Sequence, residues 1–140
     1  MKTFLESKKR LQECGIKPSL QRIAVMEYLM QNKTHPTSDM IFNDLHPKIP
    51  TLSKTTIYNT VKLLTEHGAI FSISIDEKNL RYDSDISQHA HFRCKSCGSI
   101  HDIPINNLQV SYAKNKTKSF AITETHLYYK GLCKTCSQTN

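Results

Sequence analysis

Residues 53–68 read SKTTIYNTVKLLTEHG, and this stretch, together with AIFSISIDEKNLRY at residues 69–82, decides the fold of the N-terminal part of the chain. Serine commonly caps the start of a helix and glycine commonly ends one, so the first stretch predicts a single helix. Its apolar face is formed by residues at helical spacing, namely Ile57, Val61 and Leu64. The second stretch is rich in β-forming residues around the turn sequence DEKN and predicts a β-hairpin.

Three shorter helices are predicted upstream of this helix and hairpin. The first opens on a capping box at Thr3 and ends near Gly15. A second begins after Pro18, and a third begins at Thr37, whose hydroxyl can cap it. Helices followed by a hairpin predict a winged helix-turn-helix DNA-binding domain over residues 1–82.

The composition limits the class of protein. The chain has 140 residues, with 19 Lys and Arg against 12 Asp and Glu, which gives a net charge of +7. This length allows one domain or two small ones and excludes a large catalytic barrel. The longest apolar run, residues 23–26, is far shorter than the roughly 20 residues of a membrane-spanning helix. We expect a cytoplasmic protein, since no secretory leader is visible, and the positive charge favours a polyanionic partner such as nucleic acid.

From about residue 83 onward the composition changes, because histidine and cysteine become frequent and short β-like runs dominate. Strands are predicted at residues 91–94, 99–103 and 121–131. A helix is predicted between residues 104 and 118. We therefore predict that the winged helix is followed by a small α/β domain over residues 83–140, and the fold class is α+β.

The strongest chemical signal is a pair of Cys-x-x-Cys motifs, CKSC at residues 94–97 and CKTC at residues 133–136. Each motif can present two thiolates to one tetrahedral ion, and four thiolates without an open position are typical of structural zinc. The predicted ligands are Cys94, Cys97, Cys133 and Cys136. The alternative is a thioredoxin-like redox pair, but neither motif lies between a strand and a helix of a βαβ unit. The remaining cysteine, Cys14, is expected to pack within a helix.

A second group of potential ligands consists of histidine and aspartate. His89 and His91 are two residues apart in an extended segment and therefore point to the same side. Asp83 precedes this pair, Asp102 follows it, and His35 comes from the helical half. A set of nitrogen and oxygen donors suits Fe(II), Mn(II) or Zn(II). The alternative is that the histidines are exposed strand residues beside the zinc motif.

A polar stripe runs along the helix of residues 53–68, on a different face from its apolar residues. Its members are Thr55, Tyr58, Asn59 and Lys62. In a helix-turn-helix the second helix enters the major groove, where such residues contact base edges and phosphates. The alternative is an ordinary solvated helix face.

Several short segments occur together in the order and spacing of the ferric uptake regulator (Fur) family. They are GIKPSLQR at 15–22, HPT at 35–37, SKTTIYNT at 53–60, RYD at 81–83, HAH at 89–91 and both cysteine motifs. The resemblance covers almost the whole chain. Within the family, the sequence is most similar to the peroxide-responsive (PerR) branch.

The resemblance implies a metal-dependent transcriptional repressor with structural zinc on the four cysteines. The regulatory Fe(II) or Mn(II) site of the family maps onto His35, Asp83, His89, His91 and Asp102. Asp102 is the position that separates the branches: iron-uptake members usually carry Glu there. An Asp is associated with oxidation of the histidine ligands by hydrogen peroxide at the bound metal.

The resemblance also implies a homodimer, formed by the C-terminal domain, that binds a palindromic, A·T-rich operator. Lys17 falls on a basic position that reaches a minor groove, and Tyr58 and Asn59 fall on positions that read the major groove. A membrane partner is not expected.

Two other functions are compatible with the pattern. A sister regulator would sense iron or zinc supply without peroxide chemistry. A small zinc enzyme would need an open metal position and a nearby general acid or base, usually Glu. The group of histidines and aspartates contains no Glu, so we expect the protein not to be an enzyme, and we expect His101 and His126 to be isolated surface groups.

Overall fold

The computed structural model describes residues 2–105, 120–121 and 124–138. The chain divides into two compact units, Met1–Ser87 (unit 1) and Gln88–Asn140 (unit 2). The domain boundary between residues 82 and 83 that the sequence suggests stays a prediction. Within the described ranges, no helix has the length and apolar character that a bilayer span requires.

Unit 1 begins with four helices, which confirm the four that the sequence predicts. They are α1 (Lys2–Glu13), α2 (Leu20–Gln31), α3 (Ser38–Leu45) and α4 (Lys54–Glu66). The hydroxyls of Ser19, Thr37 and Ser53 each accept a hydrogen bond from the backbone N–H three residues further on. These side chains thereby cap α2, α3 and α4, satisfying N–H groups that the helices themselves leave open.

A β-hairpin follows α4 and completes the winged helix-turn-helix. Its strands, β1 (Phe71–Ile73) and β2 (Arg81–Asp83), pair antiparallel with Ser72 opposite Tyr82. The backbone N–H of Tyr82 also donates to the carbonyl oxygen of Pro36, at 3.0 Å. The hairpin is therefore tied to the segment between α2 and α3.

The core of unit 1 determines which face of α4 reaches solvent. Ile57, Val61 and Leu64 are completely buried against side chains from α1, α2 and α3. Burying three such side chains stabilises this orientation by several kcal/mol, at about 1.5–3 kcal/mol each. The predicted apolar face is confirmed, and the polar stripe of α4 is exposed as a consequence.

Unit 2 contains a three-stranded sheet in the order β4-β3-β5. Its strands are β3 (Ala90–Cys94), β4 (Ile100–Ile103) and β5 (Tyr128–Gly131). β3 pairs antiparallel with β4 and parallel with β5. A short helix, α5 (Lys134–Gln138), follows β5.

Unit 2 differs from the sequence prediction in the length of its last strand. The strand predicted at residues 121–131 is too long, since among its described residues only Tyr128–Gly131 is strand. The physical reason is that the strand with which it pairs is short. β3 begins at Ala90, and its pairing with β5 starts at His91 opposite Tyr128. The helix predicted between residues 104 and 118 falls almost entirely outside the described residues.

Candidate metal centres

Four cysteines converge at one end of the unit 2 sheet. Cys94 ends β3, and the turn after it is closed by a hydrogen bond from the N–H of Gly98 to the Cys94 carbonyl oxygen. Gly98 has a φ of 76°, which favours glycine, and Cys97 lies in this turn with its N–H 3.5 Å from the Cys94 sulfur. Cys133 directly precedes α5 and Cys136 lies one helical turn further on. The four Sγ atoms all lie within 4.8 Å of one another.

The spacing of these sulfurs fits a tetrahedral ion. The Sγ atoms of Cys97 and Cys133 are 3.9 Å apart. Two thiolates bound to Zn²⁺ at about 2.3 Å in a tetrahedron lie about 3.8 Å apart. The donor set and its spacing therefore fit structural zinc.

Backbone groups stabilise the charged form of one of these thiols. The N–H groups of Cys133 and Cys97 donate to the sulfur of Cys94 at 3.4 and 3.5 Å, and they lower the pKa of the Cys94 thiol to about 5. The Ser96 hydroxyl lowers the pKa of Cys136, but hydrogen bonds with the neighbouring thiols outweigh it and raise that pKa to about 12. A bound cation would allow all four sulfurs to be thiolates at neutral pH.

A buried histidine and aspartate lie together in unit 1. His35 Nε2 is 3.6 Å from Asp83 Oδ2, and these side chains are 3% and 1% exposed. The other oxygen of Asp83 accepts a hydrogen bond from the backbone N–H of Asp85, at 2.9 Å. His35 has a φ of 58°, in the left-handed region that residues other than glycine rarely occupy. Backbone strain of this kind clusters at binding sites.

Two histidines and an aspartate form a triangle of donor atoms in unit 2. The Nε2 atoms of His89 and His91 are 3.0 Å apart, and Asp102 Oδ1 is 3.4 Å from each. Two donors about 2.1 Å from one ion lie about 3.0 Å apart at a right angle and about 3.4 Å apart at the tetrahedral angle. One ion therefore fits all three atoms. The Asp102 side chain is 39% exposed and the imidazoles under 10%, so solvent reaches this triangle at the carboxylate.

Two further histidines of unit 2 lie outside these groups of donor atoms. His101 Nε2 is 3.1 Å from the Ser99 hydroxyl, and His126 Nε2 is 3.0 Å from a carboxylate oxygen of Glu124. Both imidazoles are on the surface. The structure gives each of them a local polar partner.

The exposed face of α4 carries the residues predicted to contact DNA. Thr55, Tyr58, Asn59 and Lys62 are all exposed. A depression of about 400 Å³ beside the helix is lined by Asn59 together with Lys17, which also lies on the surface. The structure thus brings two of the predicted DNA-contacting residues, one from α4 and one from the loop before α2, to one surface.

Sequence reasoning missed Arg22, which lines the same depression. Its guanidinium donates to the carbonyl oxygen of Lys17 at 2.8 Å and so fixes the loop before α2. The available signal was its position three residues after the capping residue Ser19, where a long side chain can turn back over the helix start.

Comparison with known proteins identifies relatives over nearly the whole chain. The model of the ferric uptake regulator family matches residues 13–130. The peroxide-responsive repressor PerR of Staphylococcus epidermidis is 31% identical over 134 residues, covering 95% of this chain and 89% of that protein.

Solved structures of similar fold include two regulators. The ferric uptake regulator Fur of Helicobacter pylori superimposes with a TM-score of 0.72 at 21% identity, over 97% of this chain and 93% of that one. PerR from Streptococcus pyogenes is 28% identical with a TM-score of 0.51, over 96% and 92% of the two chains. The fold predicted from the sequence is confirmed by these similarities.

Proposed function

The chain belongs to the ferric uptake regulator family, and from this membership we propose that it is a metal-dependent, DNA-binding transcriptional repressor that senses hydrogen peroxide. Members of this family are regulators rather than enzymes. The observation that carries the proposal is the triangle of His89, His91 and Asp102, whose donor atoms have the spacing of ligands around one ion.

The two groups of ligands would hold different metals for different purposes. The four cysteines would hold Zn²⁺ permanently, because four thiolates leave no position for a substrate. The zinc would join the end of β3 to α5 and stabilise unit 2. The histidines and aspartates offer only nitrogen and oxygen donors, which suit Fe(II) or Mn(II).

The regulatory ion would take ligands from both units. His35 and Asp83 belong to unit 1, which contains the winged helix, and the triangle belongs to unit 2. Metal binding by both groups would favour the arrangement of the two units that fits DNA. The binding free energy of the metal thereby shifts a two-state equilibrium toward the DNA-binding form.

The DNA contacts would come from α4 and from the loop before α2. Tyr58 and Asn59 would read base edges in the major groove, Thr55 and Lys62 would contact phosphates and bases, and Lys17 would reach a minor groove. Two protomers, paired through the C-terminal domain, would bind a palindromic and A·T-rich operator.

Peroxide sensing is the finer part of the proposal. Bound Fe(II) would supply the redox chemistry, and hydrogen peroxide would be the oxidant. One oxygen atom of the peroxide would be inserted into a ring C–H bond of His35 or His89 and the other would leave as water. The oxidised imidazole would lose its ability to ligate, which would release the repressor from DNA. Two features support this reading: Asp stands at position 102, where iron-uptake relatives usually have Glu, and PerR of Staphylococcus epidermidis is 31% identical.

Metal-dependent DNA binding can be tested without knowing the operator. Duplexes selected from a random pool by the Mn(II)-loaded protein should be bound with Mn(II) and released by chelator. The variant His35→Ala should fold and retain zinc but lose this metal dependence. Tight binding of the same duplexes by His35→Ala in chelator would contradict the model.

Mass spectrometry separates peroxide sensing from metal-supply sensing. After the Fe(II)-loaded protein is treated with hydrogen peroxide, peptides containing His35 or His89 should carry one added oxygen, and DNA should be released. The Mn(II)-loaded protein is the matched control and should not change. Release of DNA only on metal removal, with unmodified histidines, would instead identify a sensor of metal supply.

A further inference from the structure

One arginine side chain joins the β1–β2 turn to the backbone of a proposed metal ligand. Arg81 Nη1 donates to the carbonyl oxygen of His35 at 3.2 Å, while Nε and Nη2 each lie 3.1 Å from Asp76 Oδ2. We propose that Arg81, oriented by Asp76, is a positioning residue that holds His35 in its ligating conformation. This inference rests on the regulatory metal site proposed above. It explains how unit 1 orients the ligands that it contributes to that site.

The backbone of His35 needs such support. Its φ of 58° is unfavourable for a side chain with a β-carbon, so the conformation persists only where its surroundings impose it. Two successive carbonyl groups in this segment are bonded to two successive residues of β2. The His35 carbonyl accepts from Arg81 and the Pro36 carbonyl accepts from the N–H of Tyr82, at 3.0 Å.

The same strand carries the second ligand. β2 ends at Asp83, which faces His35 across 3.6 Å. Contacts from β2 to the segment before α3 therefore fix the backbone of both unit 1 ligands relative to each other. Preorganised donors of this kind bind a metal more tightly, because less conformational freedom is lost on binding.

The partner of Arg81 is itself held in place. Asp76 Oδ1 accepts a hydrogen bond from the backbone N–H of Lys78, at 2.9 Å, which leaves Oδ2 for the arginine. The Arg81 and Asp76 side chains are 21% and 10% exposed. The planar guanidinium holds its N–H donors in a fixed, fork-like arrangement, so it can bond the Asp76 carboxylate and the His35 carbonyl at the same time. A lysine ammonium acts as a single point charge.

Arg81 could affect the affinity for the metal through its charge or through its contact with His35. The two effects predict opposite changes in affinity when the charge of Arg81 is removed. Removing a positive charge near a cation site strengthens cation binding by Coulomb's law. Loss of the hydrogen bond to the His35 carbonyl frees the ligand and weakens cation binding. A measured decrease in affinity therefore identifies the positioning role.

The primary test is a Mn(II) titration of the zinc-loaded full chain, with free Mn(II) measured by electron paramagnetic resonance. Arg81→Met should weaken Mn(II) binding by about 10- to 100-fold, the usual effect of losing an outer-shell partner of a ligand. Asp76→Asn should weaken it less, because the arginine remains. Lys78→Met, which removes a positive charge from the same turn, is the matched control and should not weaken it.

A double substitution tests whether Arg81 acts through His35. In a His35→Ala background, Arg81→Met should cause no further loss of Mn(II) affinity. An equal loss in both backgrounds, or no loss in the single variant, would overturn the positioning role. If His35→Ala alone leaves Mn(II) binding unchanged, the regulatory site itself fails, which is a distinguishable result.

Folding is checked independently of metal affinity. Zinc content and the thermal unfolding midpoint of each variant, measured without Mn(II), should show that unit 1 and unit 2 remain folded. Arg81→Lys serves as a second variant that keeps the charge but not the fork, and it should also weaken Mn(II) binding. Full affinity in a folded Arg81→Lys variant would contradict the role of the fork.

Discussion

His91 and Asp102 lie directly opposite each other on β3 and β4, and Asp102 Oδ1 is 3.4 Å from His91 Nε2. An antiparallel pair of strands holds these two residues in register, so the distance between imidazole and carboxylate is set by the sheet. The carboxylate is the exposed member of the pair. The length of the side chain at position 102 therefore determines how far it covers the solvent-facing side of the proposed regulatory site.

Asp102→Glu should separate metal binding from peroxide sensitivity. The longer side chain can still ligate Mn(II), so DNA binding with Mn(II) should persist, but it extends over the open side of the site. With Fe(II) and hydrogen peroxide, oxygen addition to His35 and His89, measured by mass spectrometry, should fall by about tenfold or more, a difference of roughly 1.4 kcal/mol in barrier. Asp39→Glu on α3 is the control, and equal oxidation in both variants would contradict the role of Asp102.

Cys97 and Cys14 should respond differently to substitution. Cys97→Ser removes one of four clustered thiols, so the purified protein should contain less than one zinc per protomer. Its free energy of unfolding should fall by about 4 kcal/mol or more, the range in which loss of a metal site falls. Cys14→Ser lies outside the cluster and should keep full zinc content by atomic absorption. Loss of zinc from both variants would contradict the assignment.

The stability of the zinc-free protein should depend on pH through Cys94. Its thiol pKa is lowered from 9.0 to about 5 in the folded protein by hydrogen bonds from backbone N–H groups. A group with a lowered pKa stabilises the fold above its unfolded value, and this contribution is lost as the pH falls through the folded value. Resistance to guanidinium should therefore decrease as the pH is lowered from about 9 to about 5. Zinc binding also needs the thiolate and acts in the same direction.

A variant shows whether this pH dependence belongs to Cys94. With zinc removed from both proteins by chelator, the slope of unfolding free energy against pH between about 5 and 9 should be smaller in Cys94→Ser, whose hydroxyl does not ionise there. Cys14→Ser should keep the slope of the unmodified protein. An unchanged slope in Cys94→Ser would assign the dependence to other groups.

Local signals explain why so much of unit 1 could be predicted. A capping hydroxyl such as Ser53 acts on N–H groups two or three residues away, and the spacing of Ile57 and Val61 reflects one helix face. The cysteine motifs are also local, because only two residues separate the thiols of each pair. The spacing within the two cysteine motifs therefore predicts the four sulfur atoms that the fold brings together.

Features that depend on distant contacts could not be predicted. The parallel pairing of β3 with β5 joins segments more than 30 residues apart, and α5 is too short to show a helical period. The contact between Arg81 and the His35 carbonyl spans 46 residues, and we propose that it supports the left-handed backbone of His35. The sequence therefore predicts His35 as a candidate ligand but not the distant residues that contact its backbone.

The exposed stripe of α4 offers a test of two kinds of DNA contact. Asn59 and Lys62 both lie on this exposed face. Asn59 directly follows Tyr58, and Lys62 lies about one helical turn after Tyr58. An amide can pair with a base edge, so Asn59→Ala should cost about 1–3 kcal/mol at one base pair of the selected duplex and relax the preference there. A phosphate contact carries no sequence information, so Lys62→Ala should weaken binding to all duplexes.

Salt dependence distinguishes these two contacts quantitatively. Each phosphate that a lysine neutralises releases about one counterion, so Lys62→Ala should reduce the slope of log affinity against log salt by about 1 per protomer. Asn59→Ala should leave that slope unchanged, because its side chain carries no charge. Lys33→Ala, an exposed lysine after α2, is the control for net charge and should change the slope less than Lys62→Ala. Equal slopes for all three variants would place Lys62 outside the DNA interface, and α4 would then be an ordinary solvated helix.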